Sequence, residues 1–156
     1  MATKNKSWKE KLLDSKDLPK LVTIAPRMEK KFGKGTMVIP SPIEIDAEMK
    51  KVPKGKIITT NKIREKIAKK HGANMACALV TGIFSWIAAH AAIEDELAGK
   101  KKCTPYWRTL KSGGIINEKY PGGIEKQAQL LEAEGHCVIQ KGKTWIVSDW
   151  EKSLVK

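Results

Sequence analysis

Apolar residues along the middle of the chain keep helical time. From Ile43 they recur at Ile45, Met49 and Val52, until Pro53 and Gly55 end the run. Thr59 or Thr60 can cap a second helix, in which Ile63 and Ile67 stand four apart and Gly72 makes the stop. Met75 to Ile93 then holds no charged side chain if His90 is neutral, and Leu79, Ile83, Phe84, Trp86 and Ile87 are bulky enough to fill a core. That length approaches a membrane span, but the segment is mostly alanine with Thr81, Gly82, Ser85 and His90, so its transfer energy is weak. It predicts a buried helix, or two. Three helices in succession, the second carrying Lys62, Lys66, Lys69 and Lys70, suggest a helix-turn-helix type of bundle.

The flanks are shorter in pattern. Ser7, Trp8, Leu12 and Leu13 predict a short amphipathic helix over 7–18, capped by Ser7 and stopped near Pro19. Leu21 to Pro42 mixes β-branched residues with glycines and prolines and reads as an irregular arm. Lys100-Lys101-Lys102 marks a surface loop, and Pro105 to Gly123 is rich in turn residues. Helical spacing returns over 124–134 through Ile124, Ala128 and Leu131, with Gly135 as the stop. Cys137 to Ile139 and Trp145 to Val147 then flank Lys141-Gly142-Lys143 as a small hairpin, followed by a last helix from about Ser148 or Asp149. The expected fold is mainly α (α+β), a winged helix-turn-helix-like helical bundle with a small C-terminal β-hairpin. At 156 residues one domain is the starting assumption.

Charge changes this picture by naming a partner. Lys and Arg number 30 against 17 Asp and Glu, a formal charge of +13. Residues 1–70 hold 19 of the basic and 8 of the acidic side chains, so the excess is N-terminal. Such asymmetry favours a polyanion, nucleic acid before membrane, over a neutral small molecule. Cys77, Cys103 and Cys137 are odd in number and widely spaced, with no zinc-site or disulfide pattern. The expectation is therefore no metal, no cofactor and a reducing cytoplasmic setting. The N-terminus, with Lys4, Lys6, Lys9 and Lys11, has no apolar run behind it and does not read as a secretory signal.

Three ordered patches carry a resemblance. Val52-Pro53-Lys54-Gly55-Lys56-Ile57-Ile58-Thr59-Thr60 comes first, and Pro105-Tyr106-Trp107-Arg108 second. The third is Ser112-Gly113-Gly114, Tyr120-Pro121-Gly122-Gly123, Lys126, Leu130-Leu131 and Glu134-Gly135-His136. Together they resemble the DNA-binding domain of the O6-alkylguanine-DNA alkyltransferases, the methylated-DNA-protein cysteine methyltransferases. The resemblance divides the chain into a basic N-terminal arm over 1–42, an alkyltransferase-like DNA-binding domain over 43–136, and a C-terminal hairpin and helix over 137–156.

In that family a cysteine thiolate, activated through a histidine and a glutamate, takes the alkyl group from a flipped-out guanine. The resemblance puts Tyr106 at the cysteine, Trp107 at the histidine and Glu134 at the glutamate. Indole has no basic nitrogen and cannot accept the proton. The chain thus resembles the non-catalytic alkyltransferase-like branch, which holds alkylated bases for other repair factors. No arginine lies between Arg64 and Arg108, so Cys77, Ala78 or Leu79 stands where the family inserts one into the base stack, and Thr60 stands for its phosphate-side tyrosine.

The expected DNA-binding residues are Thr59, Thr60, Lys62, Lys69, Lys70, Tyr106, Trp107, Arg108 and Ser112. Tyr106 and Trp107 either stack on an unpaired base or plug the vacated pocket. The implied function is DNA binding, with sensing of alkylated bases in repair and without alkyl transfer; the implied partners are DNA and other repair proteins, and no membrane. Two alternatives stay open: an alkyl-transfer enzyme using Cys103, with Cys77 a small buried hydrophobe, and a protein or RNA interaction module on the same fold.

Overall fold

The computed structural model describes residues 6–156; the first five, with Lys4 of the basic arm, lie outside the described residues. Helix α1 (Trp8–Leu13) begins at Ser7, whose hydroxyl accepts the Glu10 amide at 3.1 Å. Strand β1 (Lys20–Thr23), a short helix α2 (Glu29–Phe32) and strand β2 (Thr36–Ile39) follow. Helix α3 (Pro42–Lys50) starts at a capping box, in which Ser41 and Glu44 satisfy each other's backbone amides.

Strand β3 (Ile58–Thr59) leads into α4 (Thr60–His71) through Thr59, whose side chain accepts the Lys62 amide at 3.2 Å. Gly72 ends α4 at φ 66°, a left-handed turn that favours glycine. Strand β4 (Met75–Ala76) then precedes α5 (Ala78–Leu97), strand β5 (Thr109–Leu110), helix α6 (Gly123–Ala133), the hairpin β6 (Val138–Lys141) and β7 (Thr144–Val147), and α7 (Trp150–Ser153). The fold is mainly helical α+β with a C-terminal hairpin, as the pattern predicted.

Helix α5 is the axis of the molecule. Ala88, Ala89, Ala91 and Ala92 are buried and lack bulk, so α1, α3 and α4 approach it closely. Leu12, Ile45, Met49, Ile63 and Ile67 fill the space between these helices. Each such aliphatic side chain contributes about 1.5–3 kcal/mol on full burial. A smaller second cluster gathers Ile57, Leu110, Ile116, Leu131 and Val147 beneath the hairpin. The chain end closes it, because the Ile57 amide donates to Ser153 and the Val155 amide donates back to Ile57, both at 2.9 Å.

Three expectations need correcting. Residues 20–39 are not irregular: β1 pairs antiparallel with β2, which pairs in parallel with β4 of the helical unit. The β-branched residues there gain a ladder that no local periodicity announces. The apolar segment forms one helix, and Leu79 and Ile83 are not core residues, being 72% and 43% exposed. Cys77 caps that helix and is half-buried instead of sitting inside it. Among the described residues no helix is long and apolar enough to cross a membrane.

Candidate nucleic-acid interface

The start of α5, the first residue of α4 and the loop over 111–119 enclose an open cleft of about 510 Å³. Its side chains follow from the turn-by-turn pattern of α5. Thr81 and Ser85 point inward, fully buried, and donate to the carbonyls of Cys77 at 2.7 Å and Gly82 at 2.9 Å. Leu79 and Ile83, four residues apart on another face, are thereby left over the cleft. Trp86 forms a wall, and Thr60, Lys111 and Lys119 supply the polar rim; no carboxylate lines it.

Both walls are braced by neighbouring elements. The Trp86 indole donates to the Lys119 carbonyl at 3.1 Å, while Trp8 of α1 packs edge-on against Trp86 at 4.7 Å and stacks on His90 at 4.4 Å. The loop over 111–119 is sewn to β7 by the Ile116 amide, which donates to Trp145 at 2.8 Å. Gly114, at φ 76°, lies so close to Trp150 of α7 that a Cβ has no room. From beneath, the buried Gln127 accepts the Asn117 amide at 3.0 Å and donates to the Trp107 carbonyl at 3.1 Å.

The Tyr106–Trp107–Arg108 turn lies apart from this cleft. Tyr106 is 2% exposed and packs edge-on against Tyr120 and Trp107, its hydroxyl donating to Pro121 at a long 3.4 Å. Burial, with the Glu96 charge adding to it, pushes that hydroxyl up to about 12. The Trp107 indole donates to Glu134 at 3.1 Å. Arg108 clasps both oxygens of the same carboxylate at 2.9 and 2.7 Å and reaches the Val52 carbonyl at 2.7 Å. Burial alone would raise the Glu134 carboxyl, but the Arg108 and then the Trp107 hydrogen bonds outweigh it and hold the group below its ordinary value.

The expected residues therefore separate. Thr60 lines the cleft, and Ser112 lies on the exposed loop with its hydroxyl accepting from Asn61 at 2.9 Å. Thr59 is a buried helix cap. Lys69 is exposed, Lys62 pairs with Glu65 and Lys70 with Glu44. The Tyr106 ring is buried and presents no open face to the cleft. Arg108 directs Nε and one N–H of each terminal nitrogen to Glu134 and Val52, which leaves two N–H groups outside these bonds. Sequence reasoning missed Ile83, Trp86, Lys111 and Lys119 as cleft residues. It also missed Arg64, which donates to the Ala76 carbonyl at 3.0 Å beside the start of α5.

Cys103 faces elsewhere, donating to the Lys100 carbonyl at 3.5 Å; burial first, then Asp95 and Glu96, raises its thiol and disfavours the thiolate. Among the described residues no group of three or more His, Cys, Asp or Glu could hold a metal ion.

No protein-family model and no curated protein matches the sequence. Solved structures do match the architecture. The crystal structure of S. pombe Atl1 in complex with damaged DNA containing O6-carboxymethylguanine aligns with a TM-score of 0.53 and 18% identity, over 74% of this chain and 94% of that one. The fold is that of an alkyltransferase-like protein. A second structure, S. pombe ATL in complex with DNA, gives the same TM-score at 19% identity with the same coverage. At this identity the likeness carries the alkyltransferase-like fold and leaves the chemistry to the residues themselves.

Proposed function

We propose that this chain binds duplex DNA across the starts of α4 and α5 and receives an alkylated, extrahelical base in the cleft between them, without taking the alkyl group. The cleft carries the reading: an apolar, acid-free concavity with cationic rims at the N-terminal end of a helix. Leu79 and Ile83 offer an apolar surface to unstacked bases, and Trp86 an aromatic wall, with stacking worth about 1–3 kcal/mol per base. Lys111, Lys119 and Arg64 stand where phosphates pass, and set register without reading sequence. That the S. pombe structures on the same fold are complexes with DNA supports DNA as the ligand.

On this reading the acceptor cysteine of the transferring enzymes is absent because Tyr106 takes its place. The three free thiols suit a reducing, cytoplasmic setting. The test is to titrate duplexes with and without O6-methylguanine at low and at physiological salt, and then weigh the protein. Salt-sensitive binding, tighter for the lesion, with no mass gain and the lesion intact, is the expected result. No binding at low salt removes the DNA reading, because several phosphate contacts bind there without sequence preference. Equal affinity for both duplexes removes the lesion. A mass gain restores the enzyme, with Cys103 the first thiol to examine.

A further inference from the structure

A second cleft, also of about 510 Å³, lies between the end of α3 and the loop that follows α5. It shares no lining residue with the cleft at the start of α5. Pro105 and the half-buried Trp107 form its floor, and Lys50, Lys101 and Lys102 its rim.

The cations are not equivalent. Lys50 pairs with the buried Asp46 at 3.0 Å, and Arg108 behind the indole is bound to Glu134. Asp95 is already held by Lys9 and Lys100. Lys101 and Lys102 are exposed and, among the described residues, have no carboxylate within 4.0 Å. Trp107 has spent its one donor on Glu134, so what it offers the cleft is apolar contact alone.

We propose that this second cleft docks an acidic protein segment, an apolar or aromatic side chain seating on Trp107 while flanking carboxylates pair with Lys101 and Lys102. A desolvated aromatic centre inside a charged rim is the usual anatomy of a peptide interface. The volume suits a side chain and its neighbours. Two adjacent exposed cations match a pair of carboxylates on one short segment. The assignment does not rest on the DNA reading.

The probe is a short fluorescein-labelled peptide of Glu and Asp around a central Phe, titrated by anisotropy against the whole chain. Salt-sensitive binding is expected, weaker for a control peptide with Ser in place of Phe. The Lys101→Glu/Lys102→Glu double variant, whose changes are confined to an exposed loop, should weaken the Phe peptide on the order of tenfold. The same variant should change duplex affinity by less than about twofold, because these lysines lie off the proposed DNA path. Equal binding of both peptides, or of both proteins to the Phe peptide, overturns the proposal. A parallel loss of duplex binding, or displacement of the peptide by duplex, also overturns it and gives the hollow to nucleic acid.

Discussion

The Trp107–Arg108–Glu134 cluster and the cleft at the start of α5 lie in the same fold but spend their polar atoms differently. In the cluster, Arg108 donates to Glu134 and Val52, and Trp107 donates to Glu134, so each partner satisfies another. Around the cleft, Leu79 is exposed, Lys111 and Lys119 reach its rim, and no carboxylate lines it. Trp107, Arg108 and Glu134 form a clasp joining the 106–108 turn to the end of α6. The surface at the start of α5 is open instead.

Breaking the clasp should give the largest effect. Glu134→Ala leaves the half-buried Arg108 guanidinium without its carboxylate, and loss of a hydrogen bond to a charged group costs about 1.5–3 kcal/mol. Urea unfolding should record that loss, while duplex affinity of the folded variant stays close to that of the parent. A cost within the range of ordinary surface changes, about 0.5 kcal/mol, would mean the clasp is not structural.

The opposite signature belongs to the cleft. Leu79→Asp places a charge on an already exposed site, so stability should move by no more than about 0.5 kcal/mol. Repulsion from phosphates and loss of apolar contact should lower duplex affinity on the order of tenfold, close to 1.4 kcal/mol. Unchanged binding at low salt would remove Leu79 from the interface.

These two sites were unequally legible in the sequence. Helix boundaries near Thr59, Gly72 and Gly135 follow from local rules of capping and left-handed glycines, which act within a few residues. The hairpin turn at Gly142 was legible for the same reason. The β1–β2–β4 pairing was hidden, because β2 meets β4 nearly forty residues later. Leu79 and Ile83 were misassigned to the core because hydrophobicity states a preference for burial and not which face of an apolar helix has a neighbour. The Arg108–Glu134 clasp links residues 26 apart through space, and only the resemblance singled out Glu134 at all.

Acid should expose the clasp more gently. A carboxyl held below its ordinary value stabilises the fold above that value, and the contribution is lost as the pH falls through the folded pKa. Glu134 is such a group, with Arg108 and Trp107 overcoming the burial that opposes them. Stability of the parent should therefore fall on acidification from about 4.5 downward. Glu134→Gln should be less stable at neutral pH and lose less in that window. Glu44 and Asp95, also held low by their partners, keep the variant's curve from becoming flat. Parallel curves for the two proteins would place the Glu134 contribution elsewhere.

The smallest effect tests whether Tyr106 belongs to the closed region or the open one. Its hydroxyl makes a single long bond to Pro121, so Tyr106→Phe should cost no more than the low end of a neutral hydrogen bond, about 0.5 kcal/mol, and leave duplex binding unchanged. The same burial can be read without mutation. Tyr106 and Tyr120 are the two tyrosines of the chain, and burial pushes both up to about 12. The folded protein should show little phenolate absorbance at pH values where the denatured chain, near its ordinary pKa of about 10, is ionised. The sign fixes where stability responds: the folded state keeps these protons longer, so stability is untouched below the unfolded value and falls as the pH rises through the interval above it. One tyrosine titrating near its ordinary value in the native protein, and vanishing in Tyr106→Phe, would place that ring at an open pocket mouth and return it to the ligand.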